Sequence, residues 1–320
     1  MPLIKHSQYK APAHLFNGHI ETIIPSTFRK IEGIAYQRER IELADGDFLD
    51  LDWLNSSSRK LMIFSHGLEG SSERHYSKGM AKYFFQRGWD AMVWNCRGCS
   101  GEMNRLPRFY HHGATEDLQA VIQVAVQRNQ YDSIFLSGVS MGGSMTVKYL
   151  GENPSQVPPT VKGAAVFSVP CDLPSSAKEL DKPAQKLYRV RFLKKLGKKI
   201  KSKSEQFPDI VSYKNFESIK LIREFDNRYT APLHGFKDAD DFYQKASPLP
   251  YIPQIQIPTL IVNALNDPFL GKACYPYDLL KNIPNVFLET PARGGHTGFS
   301  LRDKEETFME TRAYEFLSGI

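Results

Sequence analysis

From residue 61 onward the chain alternates short, mostly apolar runs with longer amphipathic ones. Residues 61–64 (LMIF), 89–94 (WDAMVW), 133–136 (SIFL), 161–167 (VKGAAVF), 259–262 (TLIV) and 286–288 (VFL) have the length and composition of strands buried on both faces. Helical periods separate them. Tyr76, Met80, Tyr83 and Phe84 share one face, while Leu118, Val121, Ile122, Ala125 and Val126 recur at i, i+3, i+4, i+7 and i+8. Residues 145–150 are amphipathic as well, and Met309, Ala313, Phe316 and Leu317 mark a last helix. Strands without polar alternation, each followed by a helix, predict an α/β fold with a mostly parallel central sheet covered on both faces.

Upstream, residues 40–43 and 48–54 alternate apolar with polar around Asp45-Gly46-Asp47, which predicts a hairpin. The first forty residues show no such period and read as irregular; residues 16–22 read as a turn. Residues 171–250 break the strand-helix rhythm with several prolines and with Leu187, Val190 and Leu193 at i, i+3 and i+6. They read as a mostly helical cap inserted over one end of the sheet. A chain of 320 residues is long enough for a single domain, residues 1–320, carrying that insertion.

Composition changes this picture little. With 41% apolar and 24% charged residues the chain resembles an ordinary soluble globular protein. No apolar run approaches the roughly 18 residues of a transmembrane helix, and the N-terminus lacks the uninterrupted apolar core of a secretory signal, so a cytoplasmic location is expected. Cys96, Cys99, Cys171 and Cys274 are too scattered for a disulfide framework. The Cys96-x-x-Cys99 pair has no second pair to complete a four-thiolate zinc site, and no metal is expected.

Charge adds more. Residues 178–203 hold 11 basic and 2 acidic residues, a balance of +9, whereas the rest of the chain has 30 and 33, or −3, summing to the net +6. Basicity confined to one segment, without aromatic or groove-reading motifs, argues against a nucleic-acid partner. It suits either a solvated helix face or weak contact with an anionic membrane surface.

The candidate chemistry begins at Ser137-Gly138-Val139-Ser140-Met141-Gly142-Gly143. Glycine and serine populate strand-to-helix turns by chance; a strand leading in and a helix leading out make Gly-x-Ser-x-Gly a nucleophile elbow. A serine hydroxyl needs a base, and the base needs a carboxylate to orient it. In such a fold both follow the serine, acid before histidine. His296, in Arg293-Gly294-Gly295-His296-Thr297-Gly298, is the last histidine, and Asp267, just after residues 259–262, is the best acid. Asp172 is the fallback. The oxyanion needs donors, expected from the N–H groups of Met141 and of Leu68 in Ser65-His66-Gly67-Leu68-Glu69-Gly70. His111 and His112 read as structural or pocket-lining; His6, His14, His75 and His234 carry no pattern.

This elbow, acid and histidine order resembles the α/β-hydrolase superfamily over roughly residues 40–318. Asn17-Gly18-His19-x-x-Thr22, His66-Gly67-Leu68-Glu69-Gly70 and Asn95-Cys96-Arg97-Gly98-Cys99-Ser100-Gly101-Glu102 make it similar to the YheT-like branch, whose members are described as carboxylesterases or lipases. The resemblance implies Ser140 as nucleophile, Asp267 as acid and His296 as base, with Cys96 and Cys99 in a loop beside the pocket rather than in a redox pair. Eukaryotic relatives often carry an N-terminal membrane anchor, which is not carried over here. The expected activity is hydrolysis of a small-molecule carboxylic ester, with a lipid-like ester as one candidate, through an acyl-enzyme and with no metal or organic cofactor. A thioesterase, amidase or acyltransferase uses the same machinery. Serine at the elbow argues against dehalogenase and epoxide hydrolase chemistry, and the intact triad argues against a non-catalytic small-molecule-binding protein.

Overall fold

The computed structural model describes residues 2–320. Nine strands form its sheet: β1 (Leu3–Ile4), β2 (Gln37–Glu42), β3 (Phe48–Leu54), β4 (Lys60–Ser65), β5 (Asp90–Asn95), β6 (Ser133–Val139), β7 (Val161–Phe167), β8 (Thr259–Val262) and β9 (Val286–Glu289). They lie in the order β1-β9-β8-β7-β6-β4-β5-β3-β2. Neighbours are parallel from β1 to β5 along this order; β3 alone runs the other way, antiparallel to both β5 and β2. This is the α/β-hydrolase architecture.

Helix α1 (Gly18–Phe28) precedes the hairpin. Helices α2 (His75–Phe85), α3 (Thr115–Gln127) and α4 (Met141–Glu152) follow β4, β5 and β6. Between β7 and β8 come α5 (Leu173–Leu180), α6 (Lys186–Gln206), α7 (Ile222–Phe225), α8 (Ala231–Leu233) and α9 (Ala239–Ala246), then α10 (Tyr277–Leu280) and finally α11 (Phe308–Ser318). One core holds the inner faces of α2 and α11, the other those of α3, α4 and α10, so the sheet is covered on both sides. The insertion has its own small core of Leu193, Ile200, Val211, Phe216, Ile222 and Phe225.

Two sequence expectations need correction. The first forty residues are not irregular throughout: they supply the edge strand β1 and helix α1, whose N-terminus Asn17 caps by accepting the Ile20 N–H at 2.9 Å. Gly18 at its start and Pro25 inside it depress the local propensity, and tertiary packing overrides them. The hairpin expected around Asp45-Gly46-Asp47 is β2 and β3, and all seven residues of β3 are buried, its polar positions included. Asp50 and Asp52 lie opposite Arg40 and Arg38 of β2 and pair with them at 2.8 and 2.7 Å, so cross-strand guanidinium groups satisfy the carboxylates. Finally, Leu187 and Val190 do not share the packed face of α6 with Leu193; they are 67% and 54% exposed, while Tyr188, Leu193 and Ile200 turn inward.

Candidate active site

Strand β6 runs between β4 and β7 in the middle of the sheet and ends at Ser140, which has φ 53° and ψ −120°. A non-glycine residue in that region stores about 1–3 kcal/mol of strain. The return of the chain into α4 is close enough that a Cβ at Gly142 would sit 2.1 Å from the Ser65 carbonyl oxygen, so no larger residue fits there. Tight passage therefore forces the serine out of the strand direction, at the first turn of a helix, where developing negative charge is favoured.

The structure brings Ser140, His296 and Asp267 together. His296 Nε2 lies 2.9 Å from Ser140 Oγ, and its Nδ1 lies 2.9 Å from Asp267 Oδ2 and 3.1 Å from Oδ1. Asp267 also accepts the Phe269 N–H at 2.9 Å, and the Phe269 ring lies 4.2 Å from the imidazole, closing one side of it. Asp172 is elsewhere: its carboxylate caps α5 by accepting the Ser175 N–H.

Sequence reasoning missed the group that ties these loops together. Glu21, in the first turn of α1 and 1% exposed, accepts from Asn266 Nδ2 at 2.6 Å, the Gly294 N–H at 3.0 Å and Arg293 Nε at 2.9 Å. Thr22 Oγ1 accepts the His296 N–H at 2.8 Å. A Cβ at Gly18 would stand 2.0 Å from the Asn266 carbonyl oxygen, so α1 is pressed against the acid loop. His19 reaches the other way, its Nδ1 3.2 Å from Tyr188 Oη of α6. The signal was present in Asn17-Gly18-His19-x-x-Thr22, which combines a cap residue with polar positions one turn apart, but its partners lie about 245–280 residues away.

Leu68 and Met141 both stand beside Ser140. A Cβ on Gly67 would lie 3.3 Å from Ser140 Cβ. The Gly67 carbonyl accepts from the Gly70 N–H at 2.9 Å and from His66 Nδ1 at 2.8 Å, while His66 Nε2 accepts the Cys96 N–H at 3.1 Å. These bonds set the His66 tautomer and fix the plane of the next peptide, whose N–H, that of Leu68, points opposite to the carbonyl. Among the described residues, neither the Leu68 nor the Met141 N–H donates to another protein group.

The insertion roofs the site. Its basic helix is split rather than uniformly solvated: Lys199 Nζ bonds Glu69 Oε1 at 2.9 Å and Cys99 Sγ at 3.0 Å, Lys195 Nζ donates to the Glu69 carbonyl at 3.0 Å, and Lys203 donates to the carbonyls of Asn104 and Leu106. Burial pushes the Lys203 ammonium down to about 8. Lys186, Arg191, Lys194, Lys198 and Lys201 remain exposed with Leu187 and Val190. Beneath the roof, an apolar hollow bordered by Leu173, Ala177, Leu180, Phe192, Phe242 and Leu270 reaches Ser140 and His296. His111 and His112 line a second hollow adjoining Leu68; burial pushes His112 down to about 4. Together these features can attack an acyl carbon, hold its oxyanion and exclude water from an apolar acyl group.

A family model described as "Serine aminopeptidase, S33" matches residues 56–274. The Escherichia coli K12 protein YheT, described as an esterase, is 33% identical over 291 residues, covering 88% of this chain and 84% of its own. Human phospholipase ABHD3 is 29% identical over 331 residues, covering 100% and 80%. Among solved structures, the esterase Pf2001 of Pyrococcus furiosus is similar with a TM-score of 0.60 and 17% identity, over 91% of this chain and 95% of that one, a likeness of fold alone.

Proposed function

Because this chain belongs to the YheT-like branch of the α/β-hydrolase superfamily, within the family described as serine aminopeptidase S33, we propose that it is a serine hydrolase that cleaves carboxylic esters through an acyl-enzyme on Ser140. The observation that carries this reading is the hydrogen-bonded line from Ser140 through His296 to Asp267, with 2.9 Å at each step. His296 Nε2 takes the hydroxyl proton as Oγ attacks the acyl carbon; the Leu68 and Met141 N–H groups receive the oxyanion. Asp267 holds the imidazole with its proton on Nδ1 and stabilises the cation that forms. His296 then protonates the leaving alkoxide, and a water activated by the same nitrogen releases the acid.

Ester rather than aminopeptide substrates suit the surroundings. An aminopeptidase needs a carboxylate for the substrate's ammonium group, and Glu69, which borders the site, is already held by Lys199 and by Tyr110 Oη at 2.5 Å. The apolar hollow supports a lipid-like acyl group, in keeping with relatives described as an esterase and a phospholipase. No helix among the described residues is long and apolar enough to cross a membrane. Contact with a lipid surface would therefore use the exposed face of α6, and four free thiols fit a cytoplasmic setting.

The test is covalent labelling with a fluorophosphonate probe. Wild type should label, Ser140→Ala should not, and His296→Ala and Asp267→Asn should label slowly. A well-folded wild type that stays unlabelled would remove the proposed nucleophile.

A further inference from the structure

A third hollow, distinct from the one lined by His111 and His112, meets the apolar one at the serine. It is bordered by Ser140, His296, Thr22 and Gly67, and also by the cations Arg74, Arg191 and Lys195. Among the described residues none of the three cations has a carboxylate within ion-pair distance, and the one carboxylate bordering the hollow, Glu69, belongs to Lys199. Arg74, Arg191 and Lys195 border the same hollow, and burial together with the neighbouring guanidinium of Arg74 pushes the Lys195 ammonium below its usual range despite the nearby Glu69 carboxylate. Among the described residues, Lys195 Nζ has the Glu69 carbonyl as its one hydrogen-bond acceptor, at 3.0 Å. Cations that border one space without a carboxylate among them repel one another unless an anion joins them.

We propose that Arg74, Arg191 and Lys195 form a subsite for a phosphate or carboxylate on the alcohol side of the ester, making the substrates acyl esters of anionic alcohols. This rests on the serine-hydrolase reading of the same site. The side is decided by solvation: a charged group cannot enter the apolar hollow without losing its hydration, so that hollow takes the acyl chain and the cationic one takes the alcohol. Both hollows border His296, whose Nε2 must protonate the departing alkoxide. An oxyanion held by guanidinium groups would fix the alcohol oxygen within reach of that nitrogen.

Two matched ester pairs test this: 1-butanoylglycerol 3-phosphate against 1-butanoylglycerol, and 4-butanoyloxybenzoate against its methyl ester. Wild type should favour the anionic member of at least one pair by tenfold or more in kcat/KM; preference for the phosphate pair alone, or the carboxylate pair alone, identifies the anion. Arg191→Gln and Arg74→Gln should each reduce the preference about tenfold, mainly through KM, as expected for one charge-assisted hydrogen bond. Lys178→Gln, an exposed cation outside this wall, should preserve it. Ser140-dependent turnover with no preference, or with a preference that survives the double substitution, would overturn the subsite and leave the hydrolase reading standing. No turnover of any of the four esters would overturn both.

Discussion

The backbone N–H of His296 donates to Thr22 Oγ1 at 2.8 Å, and the same hydroxyl donates to the Gly18 carbonyl at 2.6 Å. One side chain of α1 thus holds both the helix that abuts the acid loop and the loop that presents the imidazole. Removing the hydroxyl leaves a buried N–H unpaired, which costs about 1–3 kcal/mol. Thr22→Val should lower kcat on p-nitrophenyl butyrate about tenfold, with KM nearly unchanged, while Thr22→Ser should restore it. Equal kcat in all three proteins would show that the loop is held by other bonds.

His66 is 0% exposed and clamps the Gly67 carbonyl on one side and the Cys96 N–H on the other. His66→Ala frees the Gly67–Leu68 peptide to rotate, so the proposed oxyanion donor at Leu68 loses its aim. Loss of such a donor is worth about 100-fold in kcat. Steady-state kinetics should show that fall with KM little altered. A variant with unchanged kcat would place the second donor elsewhere.

Ser140 sits at φ 53°. Glycine reaches that conformation without strain, whereas alanine does not. Ser140→Gly and Ser140→Ala should both be inactive, but only the glycine variant should gain stability, by about 1 kcal/mol after the lost hydrogen bond to His296 is counted. Thermal unfolding midpoints compared side by side decide it, and equal midpoints would mean the elbow is unstrained.

Asp226 accepts from Thr230 Oγ1 at 2.6 Å and Tyr243 Oη at 2.8 Å inside the insertion, and burial pushes its carboxyl up to about 6. The folded chain holds that proton more tightly than the unfolded chain. Its contribution is full below the unfolded value of 3.8 and is lost as pH rises through about 6. The displacement corresponds to about 3 kcal/mol. Asp226→Asn removes the titration, so its stability relative to wild type should rise between about pH 4 and pH 7 in denaturant unfolding. Parallel pH profiles for the two proteins would contradict this.

Leu187 and Val190 stand exposed among Lys186, Arg191 and Lys194 on α6. If this face meets lipid, co-sedimentation with anionic vesicles should exceed that with neutral ones, decline with added salt, and weaken in the Leu187→Asp, Val190→Asp double variant. Binding that ignores both salt and these substitutions would put the contact on another face.

The alternation of apolar runs and helical periods made the strands and helices from β2 to α4, with β7, β8, β9 and α11, legible, because each is defined by contacts that repeat every two or 3.6 residues along its own segment. Ser140 was legible for the same reason: strand, turn and helix are contiguous. Asp267 was singled out by its place after a strand, and its separation from the fallback Asp172 became visible only when the Asp267 carboxylate was found 2.9 Å from the imidazole. Helix α1 escaped notice since a glycine, a proline and few periodic apolar residues weaken its local signal, and it is held by Asn266, Arg293, Gly294 and His296.

The basic segment shows the same division. Composition located eleven cations between Lys178 and Lys203 but could not say which way they turn. Lys199 and Lys203 face inward because Glu69 and the carbonyls of Asn104 and Leu106 are there to receive them, and Arg191 lines the hollow beside Ser140 because Lys195 and Lys199 tie α6 to the Glu69 loop there. What depends on neighbours within one element was determined by the sequence alone. What depends on charges and hydrogen bonds between segments a hundred or more residues apart was decided only by tertiary structure, since such contacts leave no period in the chain.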